Sequence, residues 1–462
     1  MKKRLGLIIT SVLACVLIFA VCFSGCFSMG ASGRDGKDLN IYEIYDAVNE
    51  ERKNKGLEEL DFLQFVSEYL NYSQGEIEEA TSLQSTMNRS MQSSVAILCR
   101  FAFSERAWGG YQTYYSVGGG SGVIIDLDKE NGDALVVTNC HVIYAYGSND
   151  TYCKDIRLYL YGQDVNGVNY AITQTGDILY DENYRIPATI VGASITYDIA
   201  VLKVEGSEVL KRSDVTAATF SQEEHVTVGE PIYAVGNASV EGVATTQGII
   251  SRDSEEIYLN LKDTDLESDY VAYRVLRTDT AINGGNSGGG LFNAKGELVG
   301  IVNAKTIDDE IDNMGYALPA STVKRVVQSL IDNSSQMGKN GVKKAQLGIT
   351  TQIVDSYAEY VDEKGAMQVY ETVQILSVET GIAKAQGGLK AGDVIVNVAV
   401  GSGKDSSFKA KDEVKVLRDY NITDILLSVR VGDVVKVTVE RDGENKDIYY
   451  EYSSNNYFIT QI

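Results

Sequence analysis

The chain is 462 residues long, with 41 Lys+Arg against 64 Asp+Glu and a net charge of −23. That length suffices for two or three domains with cores of their own, and the acidic balance excludes nucleic acid as the main partner, because phosphate neutralisation needs a basic face. Hydrophobic residues at 44% and charged residues at 23% exclude wholesale disorder, and having only two histidines, His141 and His225, excludes a multi-histidine metal site.

Lys2, Lys3 and Arg4 precede an apolar run from Leu5 to Phe23. A positive start followed by such a run is the pattern of an export signal. No second run is long enough to span a bilayer, so everything after it is expected on the extracytoplasmic side. Phe23-Ser24-Gly25-Cys26 resembles a bacterial lipobox, although Phe23 departs from the usual leucine. The resemblance implies a leader over residues 1–26 and lipidation at Cys26, which attaches the chain to the outer face of the cytoplasmic membrane. The alternative is a single uncleaved membrane anchor. Cys15, Cys22 and Cys26 lie in this leader; Cys99, Cys140 and Cys153 remain, too few for a disulfide scaffold, though one pair can form.

Residues 27–38 are small and charged and read as a linker. Ile41, Ile44, Tyr45 and Val48, then Phe62, Phe65, Val66, Tyr69 and Leu70, fall at helical spacing around Gly56. That predicts a helical hairpin over 39–88. Between residues 93 and 305, short β-branched runs recur between glycine-rich turns: 122–125, 134–138, 156–161, 188–191, 199–204, 231–235, 248–251 and 298–302. Regular short strands with turn signals predict an all-β barrel or sandwich. Residues 146–185 read as an expanded surface loop. A helix is predicted from Ser321, as N-cap, to Ile331. Residues 334–344 read as a polar hinge, 345–455 as a smaller domain of strands and turns, and 456–462 as a tail.

Three segments carry chemistry. Asp279 to Leu291 holds five glycines around one serine, Ser287. A serine nucleophile needs backbone folded tightly behind it, so that N–H groups, here those of Gly285 and Ser287, point at a substrate carbonyl oxygen. His141 follows the strand-like Leu135-Val136-Val137-Thr138, at a strand end where its side chain reaches a cleft. His225, in Ser221-Gln222-Glu223-Glu224-His225, reads as solvated. Asp198 precedes the apolar run Ile199 to Val204, and an acid there is costly unless it has a partner such as an imidazole N–H. The chain order His, Asp, Ser is that of a chymotrypsin-type triad.

Together these segments resemble the HtrA/DegP family of trypsin-like serine proteases. Further stretches agree: Gly119 to Ile125, similar to that family's first barrel strand; Val228 to Asn237 and Thr246 to Ser251, similar to its second barrel; Gly300 to Asn303 and Gly315 to Pro319, similar to its last strand pair. The resemblance implies a mainly β, chymotrypsin-like double barrel over residues 89–333. It implies His141 as general base, Asp198 as its orienting acid, Ser287 as nucleophile, and Gly285 and Ser287 N–H groups as the oxyanion hole. It places Ala281, Ile282, Ile301 and Asn303 at the substrate pocket. No acid stands at 281 to attract Arg or Lys, so cleavage is expected after small or medium apolar residues. Gly284 and Gly290 stand where the family usually has proline, which makes the oxyanion loop more flexible. Cys140 stands where Asn or Ala is commoner.

Leu347-Gly348-Ile349, Gly388-Leu389-Lys390-Ala391-Gly392-Asp393 and Val431 to Arg441 resemble a PDZ domain, an α+β module that adds a peptide to a sheet edge. The resemblance implies Leu347, Gly348 and Ile349 as the seat for a peptide carboxylate, with residues 401–415 as an insertion. By the same resemblance the partners are misfolded exported proteins, peptide C-termini and two further copies in a homotrimer. No cofactor and no metal are required.

Overall fold

A computed structural model describes residues 48–49, 52–53, 74–108, 110–162, 171–172, 178–179, 185–240, 242–260, 270–303, 314–334, 341–362 and 365–461. The leader, the lipobox and most of the expected hairpin at 39–88 lie outside them. A helix spans Gln74–Gln92 and runs past the expected end of that hairpin. No helix of the described residues is long and apolar enough to cross a membrane.

The first barrel is built from β1 (Ser94–Ala107), β2 (Gly110–Asp128), β3 (Asp133–Thr138), β4 (Asp155–Leu160), β7 (Ile186–Ser194) and β8 (Ile199–Val204), closed in the order β1-β2-β3-β8-β7-β4. β5 (Ala171–Ile172) and β6 (Ile178–Leu179) pair as a separate two-stranded antiparallel sheet. Closure removes sheet edges. The run Ile199 to Val204 is apolar on both faces because one face fills the barrel while the other packs on its neighbours: Ala200, Leu202 and Val204 join one core cluster, Ile199 and Val201 another. Gly119 to Ile125 falls in β2, not in the first strand as expected. The first strand is β1, which carries Cys99 and pairs with β2 from Ser94↔Val123 to Ala107↔Gly110.

The second barrel contains β9 (Thr219–Phe220), β10 (Pro231–Gly236), β11 (Ala244–Asn260), β12 (Tyr270–Thr278), β13 (Gly290–Asn293), β14 (Glu297–Asn303) and β15 (Gly315–Pro319). Six strands close through the β13–β14 pairing, and β9 adds in parallel to β14. Strands β14 and β15 pair with each other, Gly300 facing Pro319. The following helix spans Ala320–Asp332, with Pro319 as its N-cap; Ser321 lies inside it and not at the cap. Its Val323, Val326, Val327 and Leu330 recur at helical spacing and are buried in a core shared with both barrels.

The C-terminal domain holds β16 (Val342–Ala345), β17 (Ile349–Val361), β18 (Ala366–Val378), β19 (Val394–Ser402), β20 (Lys409–Lys415), β21 (Val434–Arg441), β22 (Glu444–Glu451) and β23 (Phe458–Gln461). The main sheet runs β17-β18-β19-β21-β22, with β20 on β19 and a separate β16–β23 pair. One outcome differs from expectation. Residues 456–462 include a strand, because β23 finds an antiparallel partner in β16. Residues 401–415 supply β20, whose Asp412 accepts from Arg325 of the Ala320–Asp332 helix at 3.0 Å.

That ion pair is one of several contacts that dock the domain on the barrels. Arg274 of β12 pairs with Asp424 and lies over the Tyr420 ring at 4.0 Å. Arg418 bonds Asp253 at 2.6 Å. His225 is half-buried rather than fully solvated: its Nδ1 lies 2.9 Å from the Tyr420 hydroxyl. The polar surroundings of His225 in sequence are the rim of a buried-charge interface, which local sequence does not distinguish from a wet surface.

Candidate functional site

The site forms where the middle of β2 and the end of β3 meet the turn before β13. Strand β3 ends at Thr138, and a single helical turn, Cys140–Ile143, carries His141. The Thr138 hydroxyl donates to Ser121 O at 2.6 Å, which fixes the end of β3 against β2. Asp198 lies in the β7–β8 turn and is 2% exposed.

His141 and Asp198 are joined twice. The ring Nδ1 lies 2.7 Å from Asp198 Oδ2, and the His141 backbone N–H donates to Oδ1 at 2.9 Å. The Asn303 amide donates to Oδ2 at 3.0 Å, and the Asn139 amide to the Asp198 carbonyl at 2.9 Å. Three donors converge on the carboxylate, which orients it and offsets its burial. With Nδ1–H engaged by Asp198, Nε2 of a neutral ring is left as the acceptor, the role a general base needs.

Ser287 sits in the tight turn between Asn283 and Gly289. Asn286 N–H donates to Asn283 O at 3.0 Å, and Gly289 N–H to Asn286 O at 2.9 Å. The turn is seated on the first barrel, since Ser121 N–H donates to Ser287 O at 2.8 Å. Gly288 has φ +84°, and a Cβ there would lie 2.2 Å from Ser121 O and from Thr138 Oγ1. Only glycine lets the chain come this close to the strand end that leads to His141.

Gly285 has φ +96°, and a Cβ there would lie 2.2 Å from the Asn237 carbonyl. The Gly284 carbonyl accepts from Ser239 N–H at 2.8 Å. A trans peptide carries its C=O and N–H on opposite sides, so the Gly285 N–H turns away from the Ser239 loop. Substituting Gly285 with alanine is expected to rotate that peptide and lower kcat on a peptide substrate by about 10²-fold, the cost of one oxyanion donor. Steady-state kinetics with an unchanged circular dichroism spectrum checks this; a loss under threefold rules it out.

Of the expected pocket residues, Ala281 is exposed and its carbonyl accepts from Thr246 Oγ1 at 3.0 Å. Ile282 is part-buried against the second-barrel core, and Ile301 is fully buried within the shared core. Asn303 directs its amide to Asp198. Cys140 is buried against Ile195.

Sequence reasoning passed over Ser121, whose Oγ donates to Gly285 O and accepts from Asn237 N–H, both at 2.7 Å. It stands among glycines in Gly119-Gly120-Ser121-Gly122. A lone hydroxyl amid residues too small to pack was the available signal. Asn139 was equally silent, because its partner is remote in the chain; Asn303, expected at the substrate pocket, bonds Asp198 instead.

In the C-terminal domain, Leu347, Gly348 and Ile349 line a groove of about 410 Å³ with Thr380, Ile422 and Leu426. Strand β17 is the edge of its sheet, so its outer backbone groups are available to an added strand. Among the described residues no cluster of His, Cys, Asp or Glu is arranged to hold a metal ion.

A family profile described as a trypsin-like peptidase domain matches residues 120–301. The chain is 31% identical over 337 residues to a serine protease Do-like HtrA of Lactococcus lactis, covering 71% of this chain and 68% of the relative. It is 27% identical over 333 residues to a serine protease Do-like HtrA of Bacillus subtilis, covering 71% and 62%. It is 26% identical over 353 residues to a probable periplasmic serine endoprotease, DegP-like, of Rickettsia conorii, covering 76% and 56%.

Proposed function

The chain belongs to the HtrA family of trypsin-like serine endopeptidases, and from that premise we propose that His141, Asp198 and Ser287 are the triad with which it hydrolyses misfolded or damaged exported proteins. The observation that carries the reading is the doubly bonded His141–Asp198 pair, set on a strand end that is itself tied to the Ser287 turn. In the reaction His141 Nε2 takes the Ser287 hydroxyl proton as Oγ attacks the scissile carbonyl. The oxyanion forms against the Gly285 and Ser287 N–H groups, and His141 then protonates the leaving amine. Water completes the cycle by the same route, so no metal or cofactor enters.

The part-buried Ile282 and the neutral, exposed Ala281 favour small or medium apolar side chains before the cleaved bond, whereas Ile301 lies in the core. The edge of β17 with Leu347, Gly348 and Ile349 seats a C-terminal peptide segment. The positive, apolar N-terminus favours an extracytoplasmic, membrane-attached protein, lipidated at Cys26 or held by an uncleaved anchor, and a homotrimer is the assembly in view.

The test is stoichiometric labelling by an organophosphonate, which reacts only with an activated serine. A single adduct on Ser287, together with casein fragments ending in small or medium apolar residues, is the expected result. Cuts mainly after Arg would overturn the pocket assignment. No adduct, with C-terminal peptides still bound, would favour a peptide-binding protein that has kept a protease fold.

A further inference from the structure

Asp198 has φ +50°. That left-handed backbone is uncommon outside glycine, and even aspartate, which tolerates it better than most residues, needs its surroundings to hold it there. Inside the first barrel, Asp198 N–H donates to Ile195 O at 3.2 Å, Tyr197 N–H to Ser194 Oγ at 3.3 Å, and the Asn139 amide to Asp198 O at 2.9 Å. Two further bonds come from the C-terminal domain. The buried Ser194 hydroxyl donates to the backbone carbonyl of Gln461 at 3.2 Å, and the Tyr197 hydroxyl donates to Gln461 Oε1 at 2.5 Å. One residue thus clasps the aspartate turn at both ends, with its backbone on one side and its side chain on the other.

The clasp is anchored. Gln461 lies in β23, which pairs with β16 from Val342↔Gln461 to Ala345↔Phe458. Val342 is buried in the same core as Ile199, the residue after Asp198. Burial pushes the Tyr197 phenol well above its ordinary range, so its hydroxyl remains a donor across the working pH range.

We propose that Gln461 is a positioning residue for the triad: by holding Ser194 and Tyr197 it sets the turn that presents Asp198 to His141, so the protease needs strand β23 of the C-terminal domain even for substrates that never reach the peptide groove. This rests on the triad reading above. Asp198 directs both carboxylate oxygens at His141, and such two-point geometry is sensitive to displacements of about 1 Å.

On a chromogenic peptide too short to reach the groove, Gln461→Ala is expected to lower kcat by about tenfold, with KM within twofold. Tyr197→Phe removes one oxygen, leaves the ring in place, and is expected to lose about three- to fivefold. The double variant should be no worse than Gln461→Ala, because both cut one clasp. The spectroscopic readout is the low-field NMR resonance of the proton between His141 Nδ1 and Asp198, resolvable because the chain has only two histidines. It should broaden or shift in Gln461→Ala and change less in Tyr197→Phe.

An unchanged resonance overturns the proposal, whether kcat is retained or falls only in step with melting temperature, as a purely structural role would have it. The resonance does not require turnover. It therefore decides this inference even if the parent chain hydrolyses nothing, an outcome that would sink the function reading separately. Should Gln461→Ala fail to fold, Tyr197→Phe carries the same test.

Discussion

Replacing Ser287 with alanine is expected to lower kcat on unfolded casein by about 10⁶-fold while leaving the fold intact. The size of the loss follows from the division of labour in the site. In the proposed triad His141 and Asp198 activate one oxygen atom, and without that atom the general base has nothing to deprotonate. What remains is the oxyanion hole and substrate binding, which together retain about 10³–10⁴-fold over water. Stability should change little, because the contacts seating the turn are backbone ones: Ser121 N–H to Ser287 O, Asn286 N–H to Asn283 O, and Gly288 N–H to Val302 O at 2.9 Å. Single-turnover kinetics on purified parent and variant, with melting curves alongside, makes the measurement. A loss smaller than about 10³-fold would mean that Ser287 is not the nucleophile.

Asp198→Asn is expected to cost about 10⁴-fold in kcat, again with the fold retained. An amide cannot satisfy the three donors that meet this carboxylate. If its NH₂ takes the place of Oδ1, it faces the His141 backbone N–H, 2.9 Å away in the parent. If it takes the place of Oδ2, it faces the Asn303 amide and accommodates the His141 ring only with Nδ1 as acceptor. In that second arrangement the ring proton moves to Nε2, and the base is lost. Either way a donor meets a donor in a site only 2% exposed, where water cannot relieve the clash. Comparing kcat with KM separates this from a binding defect: KM should stay within a few fold. A variant retaining more than about a hundredth of parental kcat would show that Asp198 does not control the tautomer.

Much of this arrangement was legible in the chain before any fold was known. The runs at 134–138, 199–204, 231–235 and 298–302 all lie within strands, because β-branched runs between glycine turns suit pleated, buried positions. With only two histidines, an imidazole base had few candidates, and the five glycines around Ser287 marked a turn that side chains could not enter. The expected N-cap at Ser321 failed because the chain leaves β15 through Pro319, whose fixed φ already suits a helix start.

The sequence by itself determined the local chemistry: strand periods, glycine-dependent turns, the three reactive side-chain types and their order along the chain. Tertiary structure alone decided which polar groups meet. Asn303 bonds Asp198 across 105 residues, Ser121 bonds Gly285 across 164, and Gln461 reaches Tyr197 across 264. It also half-buried His225 against Tyr420 and turned residues 458–461 into a strand. The physical reason is that periodicity and propensity report a residue's own backbone and burial preference, whereas a hydrogen bond is specified by its partner. Where the partner is hundreds of residues away, only the closing of the barrels and the docking of the last strand bring the two together.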